Sequence, residues 1–393
     1  MIVTILGANS LLGQHLVQHI QRVDPLVELV TWNYCDDFQP RLPDIESTSI
    51  RHFKGLDTIH EAMQLSDVVI NLHERQDLSL LPDESQLQLH NVDFIRSLLV
   101  SLRCPLVHVS SVFVQCSSRW PNVYCCEESP LKYKGQWPFP SYCSSRCQAE
   151  DLINKASVDS YILRCVPAYG EGDTCSVLTD LIKFADGGDI TSYSDGDGVL
   201  QMAYAGNLAD GIWVAANNLL STNKQPYLHA CPVPQTEEWN LGWGGSVSHA
   251  ALFPSTLKND RHIKETIVLG DDTPKMNIVN GFKSLLTVGK RNVVPCRIPF
   301  VIGFYIYYLF SILVRMLSMV TSIPTWIREL PHPCYGYLFF HHWTFFNTKK
   351  ARLMLDYLPS VEFQEAMNRC QTHYRRLQPC DIPEYSWKAH STS

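Results

Sequence analysis

The chain is predicted to fold as a doubly wound parallel α/β sheet, with a small C-terminal lobe and one apolar, membrane-associated helix. Three observations lead there. Short apolar strands alternate with amphipathic helices through the first half. A glycine-bearing turn follows the first strand. A late stretch, residues 298–314 between Arg297 and Arg315, carries no charge.

In order, Ile2–Leu6 is a short buried strand that runs into Gly7-Ala8-Asn9-Ser10-Leu11-Leu12-Gly13 and an amphipathic helix over residues 14–21. A second strand covers 27–31. Residues 67–72 form a buried strand, followed by a loop rich in Asp, Glu and Gln. Phe94, Leu98, Leu99 and Leu102 recur at helical spacing over 92–102. A strand over 106–109 ends at Ser110-Ser111. A helix over 142–156, a strand over 161–163 and a helix over 207–220 complete the alternation. Prolines and glycines then crowd residues 221–265, which read as an irregular insertion. Order resumes with a strand at 266–269 and a helix over 276–286, and two helices follow the apolar stretch, at 349–357 and 363–376. The expected organisation is a nucleotide-binding domain over 1–220, the insertion over 221–265, a substrate lobe over 266–296, the apolar segment over 297–325 and C-terminal helices over 326–393.

At 393 residues the chain is long enough to bury a large core, and its 45% hydrophobic content is that of a globular protein. A formal net charge of −7 excludes a nucleic-acid partner, which requires a basic face. Fourteen cysteines without a regular framework read as reduced thiols in a protein facing the cytosol. The first residues lack the basic flank and the long apolar run of a secretory leader. The stretch at 298–314 is at the lower limit for a membrane span, roughly 17–25 residues, and its many aromatic residues favour contact with a bilayer, as a span or as a helix embedded in the surface.

The turn at 7–13 carries the first functional signal. A strand, a tight glycine turn and a helix N-terminus direct backbone N–H groups and the helix dipole at a pyrophosphate. Gly7 makes the turn and Gly13 lets helix and strand pack closely, giving a Rossmann-type nucleotide site. Ser10 stands where a middle glycine is expected. No carboxylate ends the second strand to hold the adenosine ribose: the position falls at Thr31-Trp32-Asn33, with Asp36 and Asp37 a few residues beyond. NAD and NADP are therefore not distinguished.

The second signal is Tyr142 and Arg146, one helical turn apart. A tyrosine hydroxyl ordinarily has a pKa of about 10. A cation at i+4 shares its helix face and favours the phenolate, so Tyr142 is the candidate acid/base. Ser111 is the candidate donor to the substrate oxygen, ahead of Ser110. Arg146 keeps the charge of the lysine used at this spacing. Its guanidinium is planar and does not give up a proton, so a relay through a lysine amine is cut. Cys143 and Cys147 read as packing groups. His332, His341 and His342 lack the spacing and partners of a zinc site, and no metal is expected.

These strings, together with Asp67-Val68-Val69-Ile70, Asn91-Val92, Tyr169-Gly170-Glu171-Gly172, Ala203 to Ala209 and Gly270-Asp271-Asp272-Thr273-Pro274, resemble the extended short-chain dehydrogenases. Within them the closest likeness is to the 3β-hydroxysteroid dehydrogenase/isomerase family. The resemblance implies NAD- or NADP-dependent oxidation of a sterol or steroid 3β-hydroxyl. It also implies an endoplasmic reticulum or mitochondrial membrane, and it leaves a homodimer open. It assigns Tyr142, Arg146 and Ser111 to catalysis and Gly7, Ser10, Leu11, Leu12, Gly13 and Asn91 to the cofactor. Asp271 or Asp272 would serve an isomerase step, but the upstream tyrosine is missing, with Ile267 and Val268 in its place. Ser10, Trp32, Arg146 and Cys165 depart from the family pattern at functional positions. The alternative is a catalytically degenerate sterol- or nucleotide-binding membrane protein. A nucleotide-sugar or dihydroflavonol substrate is a weaker option.

Overall fold

The computed structural model describes residues 1–119, 121–127, 135–185, 188–192, 198–221, 240–241, 245–246, 262–288, 291–296 and 298–388. Seven parallel strands form the central sheet: β1 (Ile2–Leu6), β2 (Glu28–Asn33), β3 (Arg51–Lys54), β4 (Val68–Asn71), β5 (Leu106–Ser111), β6 (Ser160–Cys165) and β7 (Lys264–Leu269). Their order is β7-β6-β5-β4-β1-β2-β3. The chain runs outward in one direction from β1 through β2 to β3, then crosses back to β4 on the other side. This reversal opens a crevice at the carboxyl ends of β1 and β4, where ligands bind in sheets of this kind.

The strands read as unbroken apolar runs because both faces are covered. Val3 and Ile5 of β1 join one buried cluster, whereas Leu6 joins the other with Val30, Trp32, Val69 and Ile162. Helices α1 (Leu11–Val23), α2 (Phe94–Ser101), α3 (Pro140–Lys155) and α4 (Ala205–Leu220) supply those covers. The boundaries follow local chemistry. Ser10 caps α1, accepting from the Gly13 amide at 3.1 Å. Proline opens α3, at the first position where its missing N–H costs nothing.

The C-terminal lobe carries α5 (Phe300–Ser318), α6 (Pro333–Phe340) and α7 (Phe363–Arg376). A three-stranded parallel sheet of Asn122–Cys125, Trp343–Phe346 and Val199–Leu200 ties it to the first half of the chain. Helix α5 has a mean hydropathy of 1.9, yet only 17% of its apolar window is buried, so it is not a core helix. It is long and apolar enough to cross a membrane, by length and composition. Phe300, Ser311 and Val314 are its buried residues.

Several boundaries differ from the sequence expectation. The strand expected at 266 begins at Lys264 and completes the central sheet. The helix expected over 276–286 is two short helices, Ile278–Gly281 and Lys283–Leu286, with Phe282 buried between them. The helix beginning at Lys349 ends at Leu355, because Asp356 takes a left-handed conformation with φ 53°. Strand β3 was not foreseen. Its exposed Arg51, His52 and Lys54 hide its pairing from a hydrophobicity reading. Most of the expected insertion, residues 222–239, 242–244 and 247–261, lies outside the described residues.

Candidate active site

The turn after β1 keeps the shape of an anion cradle. Gly7 has φ +82°, and a Cβ there would lie 2.8 Å from the His73 backbone nitrogen. A Cβ on Gly13 would lie 2.5 Å from the Ala8 carbonyl oxygen. Both positions require glycine, one for conformation and both for close approach. Ser10 fits the turn by hydrogen bonding, its hydroxyl donating to the Gly7 carbonyl at 2.8 Å. The Gly13 amide is thereby taken. Leu11 and Leu12 contribute the first two amides of α1, which an α-helix cannot bond internally. They are the donors left for a phosphate.

At the end of β2 the structure separates residues that the sequence left together. Trp32 is fully buried on the far face, stacked on Phe94 at 5.3 Å between ring centroids, with its indole N–H donating to the Gly55 carbonyl at 2.9 Å. Asn33 takes the turn position instead. Its side-chain oxygen accepts the Asn9 amide at 3.0 Å, while its buried Nδ2 has no hydrogen-bond partner. Asp37 turns its carboxylate to Lys54 at 2.9 Å and meets the turn only through its carbonyl, which accepts from Asn9 at 3.0 Å. Arg41, missed in the sequence, donates to the Asn9 carbonyl and to the Thr174 hydroxyl. The residues present fit a dinucleotide: the first two amides of α1, Leu11 and Leu12, would hold phosphates, and Asn33 Nδ2, a buried donor without a partner, would hold a ribose hydroxyl.

The catalytic candidates converge. Ser111 ends β5, and its contact with the Tyr142 phenol favours the ionised form of that phenol. Ser110 faces the opposite side and donates to Glu150 at 2.6 Å, so it is no part of the site. Tyr142 and Arg146 lie on the buried face of α3 and are 1% and 0% exposed. Arg146 donates to the Val109 carbonyl. Glu150, one more turn along, is chelated by Arg164 at 3.2 and 2.7 Å and pins the helix to the sheet.

The residue that sequence reasoning missed is Glu74, in the turn after β4. Its Oε2 accepts the Tyr142 hydroxyl at 3.0 Å and lies 3.5 Å from Arg146 Nη1. The electrostatic expectation is thereby reversed. Burial, then Glu74, push the Tyr142 hydroxyl well above its ordinary value, and the nearby Arg146 does not compensate. Glu74 follows a strand end at the crevice, and that position was the only signal available in the sequence.

Asn91 is not free for a cofactor. Its side-chain oxygen accepts the Arg75 amide at 2.8 Å, and its nitrogen donates to the Arg75 carbonyl at 3.0 Å and to Ser145 at 2.9 Å. It clamps the turn that carries Glu74. Asp271 is likewise structural, accepting from the Tyr204 amide and Asn207 at 2.9 Å each. Asp272 pairs with Arg352. Neither aspartate lines the cavities described next.

A cavity of about 310 Å³ includes Tyr142 in its wall, with Leu78, Leu80, Phe139, Arg315 of α5 and Met319 just after it. A second, of about 590 Å³, is walled by aromatic residues of α5 and by α6, and shares Pro140, Arg315 and His332 with the first. Neither includes a residue of the glycine turn.

A family model described as the NAD dependent epimerase/dehydratase family matches residues 3–228. No curated protein matches the chain in sequence. Among solved structures, the chain is similar to UDP-glucuronic acid 4-epimerase from Bacillus cereus, in complex with UDP-glucuronic acid and NAD. The identity is 15% with a TM-score of 0.58, over 96% of this chain and 99% of that one. It is similar to dTDP-glucose 4,6-dehydratase from Bacillus anthracis in complex with NAD at 16% identity and a TM-score of 0.56, over 95% and 96%. A third is the Thermus thermophilus UDP-glucose 4-epimerase complex with NAD, at 12% identity and a TM-score of 0.57, over 96% and 99%. At these identities the likeness is one of fold.

Proposed function

We propose that this chain, which belongs to the NAD dependent epimerase/dehydratase family, oxidises a hydroxyl on an apolar, membrane-borne substrate of the 3β-hydroxysterol class. The cofactor is NAD, the coenzyme of that family. When bound, it accepts the hydrogen and electron pair that leave the carbinol carbon. The Leu11 and Leu12 amides would hold its pyrophosphate and Asn33 Nδ2 a ribose hydroxyl. Tyr142 accepts the substrate hydroxyl proton, and Ser111 donates to the same oxygen and orients it.

The observation that carries the substrate class is the wall of the Tyr142 cavity. Its exposed surface is mostly apolar, from Leu78, Leu80, Leu81, Phe139 and Met319, with Asp77, Ser79 and Ser141 beside them, and helix α5 contributes to both cavities. The solved structures with this fold include enzymes complexed with nucleotide sugars. A nucleotide sugar carries two phosphates and needs paired donors, whereas Arg315 is the one cation among the described residues of the Tyr142 wall. The outward face of α5 supports the same reading. Tyr305, Ile306, Leu309 and Met316 are each at least 60% exposed. A contiguous apolar face of this kind marks a membrane or protein contact. We place the protein on the endoplasmic reticulum or a mitochondrial membrane, with its nucleotide domain facing the cytosol. The bilayer then delivers substrate along α5.

The test is oxidation of a 3β-hydroxysterol in phospholipid vesicles by purified full-length protein with NAD, followed through reduced nicotinamide. UDP-glucuronic acid serves as the competing substrate. Turnover of the sterol alone is expected. Turnover of the nucleotide sugar alone overturns the substrate class, and absence of NAD binding overturns the reaction.

One observation favours a second reading, a catalytically silent sterol or nucleotide binder. Tyr142 is sealed at 1% exposure with its hydroxyl already engaged by Glu74. NAD or sterol binding without turnover of either substrate class identifies that protein.

A further inference from the structure

We propose that Glu74 is the proton relay of this site, taking the place of the lysine amine that Arg146 cannot supply. The proposal rests on the oxidoreductase reading above and deepens it.

Three observations carry it. The Tyr142 hydroxyl donates to Glu74 Oε2 at 3.0 Å, so the first transfer needs no rearrangement. The Glu74 side chain is 32% exposed while that of Arg146 is 1% exposed, so of the two groups flanking the phenol only Glu74 communicates with solvent. The turn bearing Glu74 is fixed at both ends. Asn71 Oδ1 accepts the His73 amide at 3.1 Å before it, and Asn91 holds both backbone groups of Arg75 after it. Arg146 Nη1 lies 3.5 Å from the same carboxylate oxygen, an ion pair without a hydrogen bond. A carboxylate at such a distance can take and release a proton.

The step balances as follows. The substrate O–H bond breaks and its proton bonds to Tyr142 Oη. The hydrogen already on Tyr142 moves to Glu74 Oε2, and Glu74 releases it to solvent. The carbinol hydrogen leaves with its electron pair to the NAD named above, and the substrate becomes a ketone. Tyr142 is neutral before and after. Its raised pKa, an obstacle to a free phenolate base, is no obstacle to a relay.

The test compares the full chain with Glu74→Gln and Tyr142→Phe. The first readout needs no cofactor: the tyrosinate transition in an ultraviolet titration that is missing from Tyr142→Phe. The titratable groups acting on Tyr142 are the charged Glu74 from the β4 turn and Arg146 from α3, and the buried thiol of Cys143 from α3, with the Cys165 thiol of β6 in the same field of Glu74 and Arg146. Removing the Glu74 charge is expected to move that transition to lower pH. An unmoved transition means that Glu74 does not hold the phenol and overturns the relay, whatever the reaction proves to be. The second readout is sterol oxidation. Glu74→Gln is expected to lose about 10²–10⁴ in kcat with KM and NAD affinity kept, and to regain rate with added formate. Full activity in Glu74→Gln overturns the relay while leaving the oxidoreductase reading intact.

Discussion

The turns after β1 and β4 touch, yet they work in opposite ways. The first acts through backbone shape: two glycines, one with positive φ, clear a path for phosphate to the amides of α1. The second acts through side chains: Glu74 reaches Tyr142 across 68 positions of sequence, and Asn91 braces it from 16 positions away. In the first turn a substitution breaks geometry. In the second it breaks a partnership and leaves geometry standing. A site can thus keep its cofactor cradle nearly unaltered while its proton path is rebuilt.

The largest expected effect is therefore in the first turn. Gly13→Ala drives a Cβ to 2.5 Å from the Ala8 carbonyl, a backbone atom that cannot swing aside. The expected cost is about 3 kcal/mol of stability, with NAD binding lost alongside. Denaturant unfolding and an NAD titration check both. A variant that binds NAD normally would falsify the close-packed cradle. Tyr142→Phe comes next and tests the second turn. Turnover falls by about 10²–10⁴ while NAD affinity is unchanged. Stability drops by only about 1 kcal/mol, because the Glu74 carboxylate left behind is partly exposed to water.

That contrast also explains what was legible in the sequence. Strand–turn–helix order around Gly7 and Gly13 is local, so β1, α1, β5 and α3 were readable. The residue that ends β2 at the turn was readable only to within three residues. Alternation along β2 puts Trp32 on one face and Asn33 on the other, and the sequence does not say which turns toward Asn9. Glu74 and Asn91 were unreadable in their roles because each acts through a contact between distant segments. The assumption that Arg146 would acidify Tyr142 failed for the same reason: it counted the cation at i+4 and not the carboxylate arriving from the neighbouring turn. Strand β3 was missed because its charged, exposed residues carry no apolar alternation.

Asn91 sharpens the comparison further, because bracing and touching predict different kinetics. As a cofactor ligand it would set NAD affinity. As the clamp on Arg75 it sets where Glu74 stands. Asn91→Ala is expected to lower kcat about tenfold, through misplacement of the relay, and to leave the dissociation constant of NAD within about twofold. Stopped-flow turnover and equilibrium titration on the same preparation separate the two. A weakened NAD complex with an unchanged kcat would return Asn91 to the cradle.

The smallest expected effect is Arg146→Lys. If the site still depended on an amine beside the tyrosine, restoring lysine would raise turnover sharply. With Glu74 carrying the proton, position 146 has only to present positive charge to the carboxylate and to occupy the Val109 carbonyl. Lysine keeps the charge but lacks the planar fork that bonds the Val109 carbonyl while it faces the Glu74 carboxylate. The expected result is a kcat within about threefold of the parent and a stability loss of about 1 kcal/mol, the worth of one hydrogen bond. The pH profile of kcat should keep its shape, because the group that receives the proton is untouched. A large gain in rate, or a new limb in that profile, would mean that the amine does the work here too and that Glu74 is a bystander held in place by the arginine.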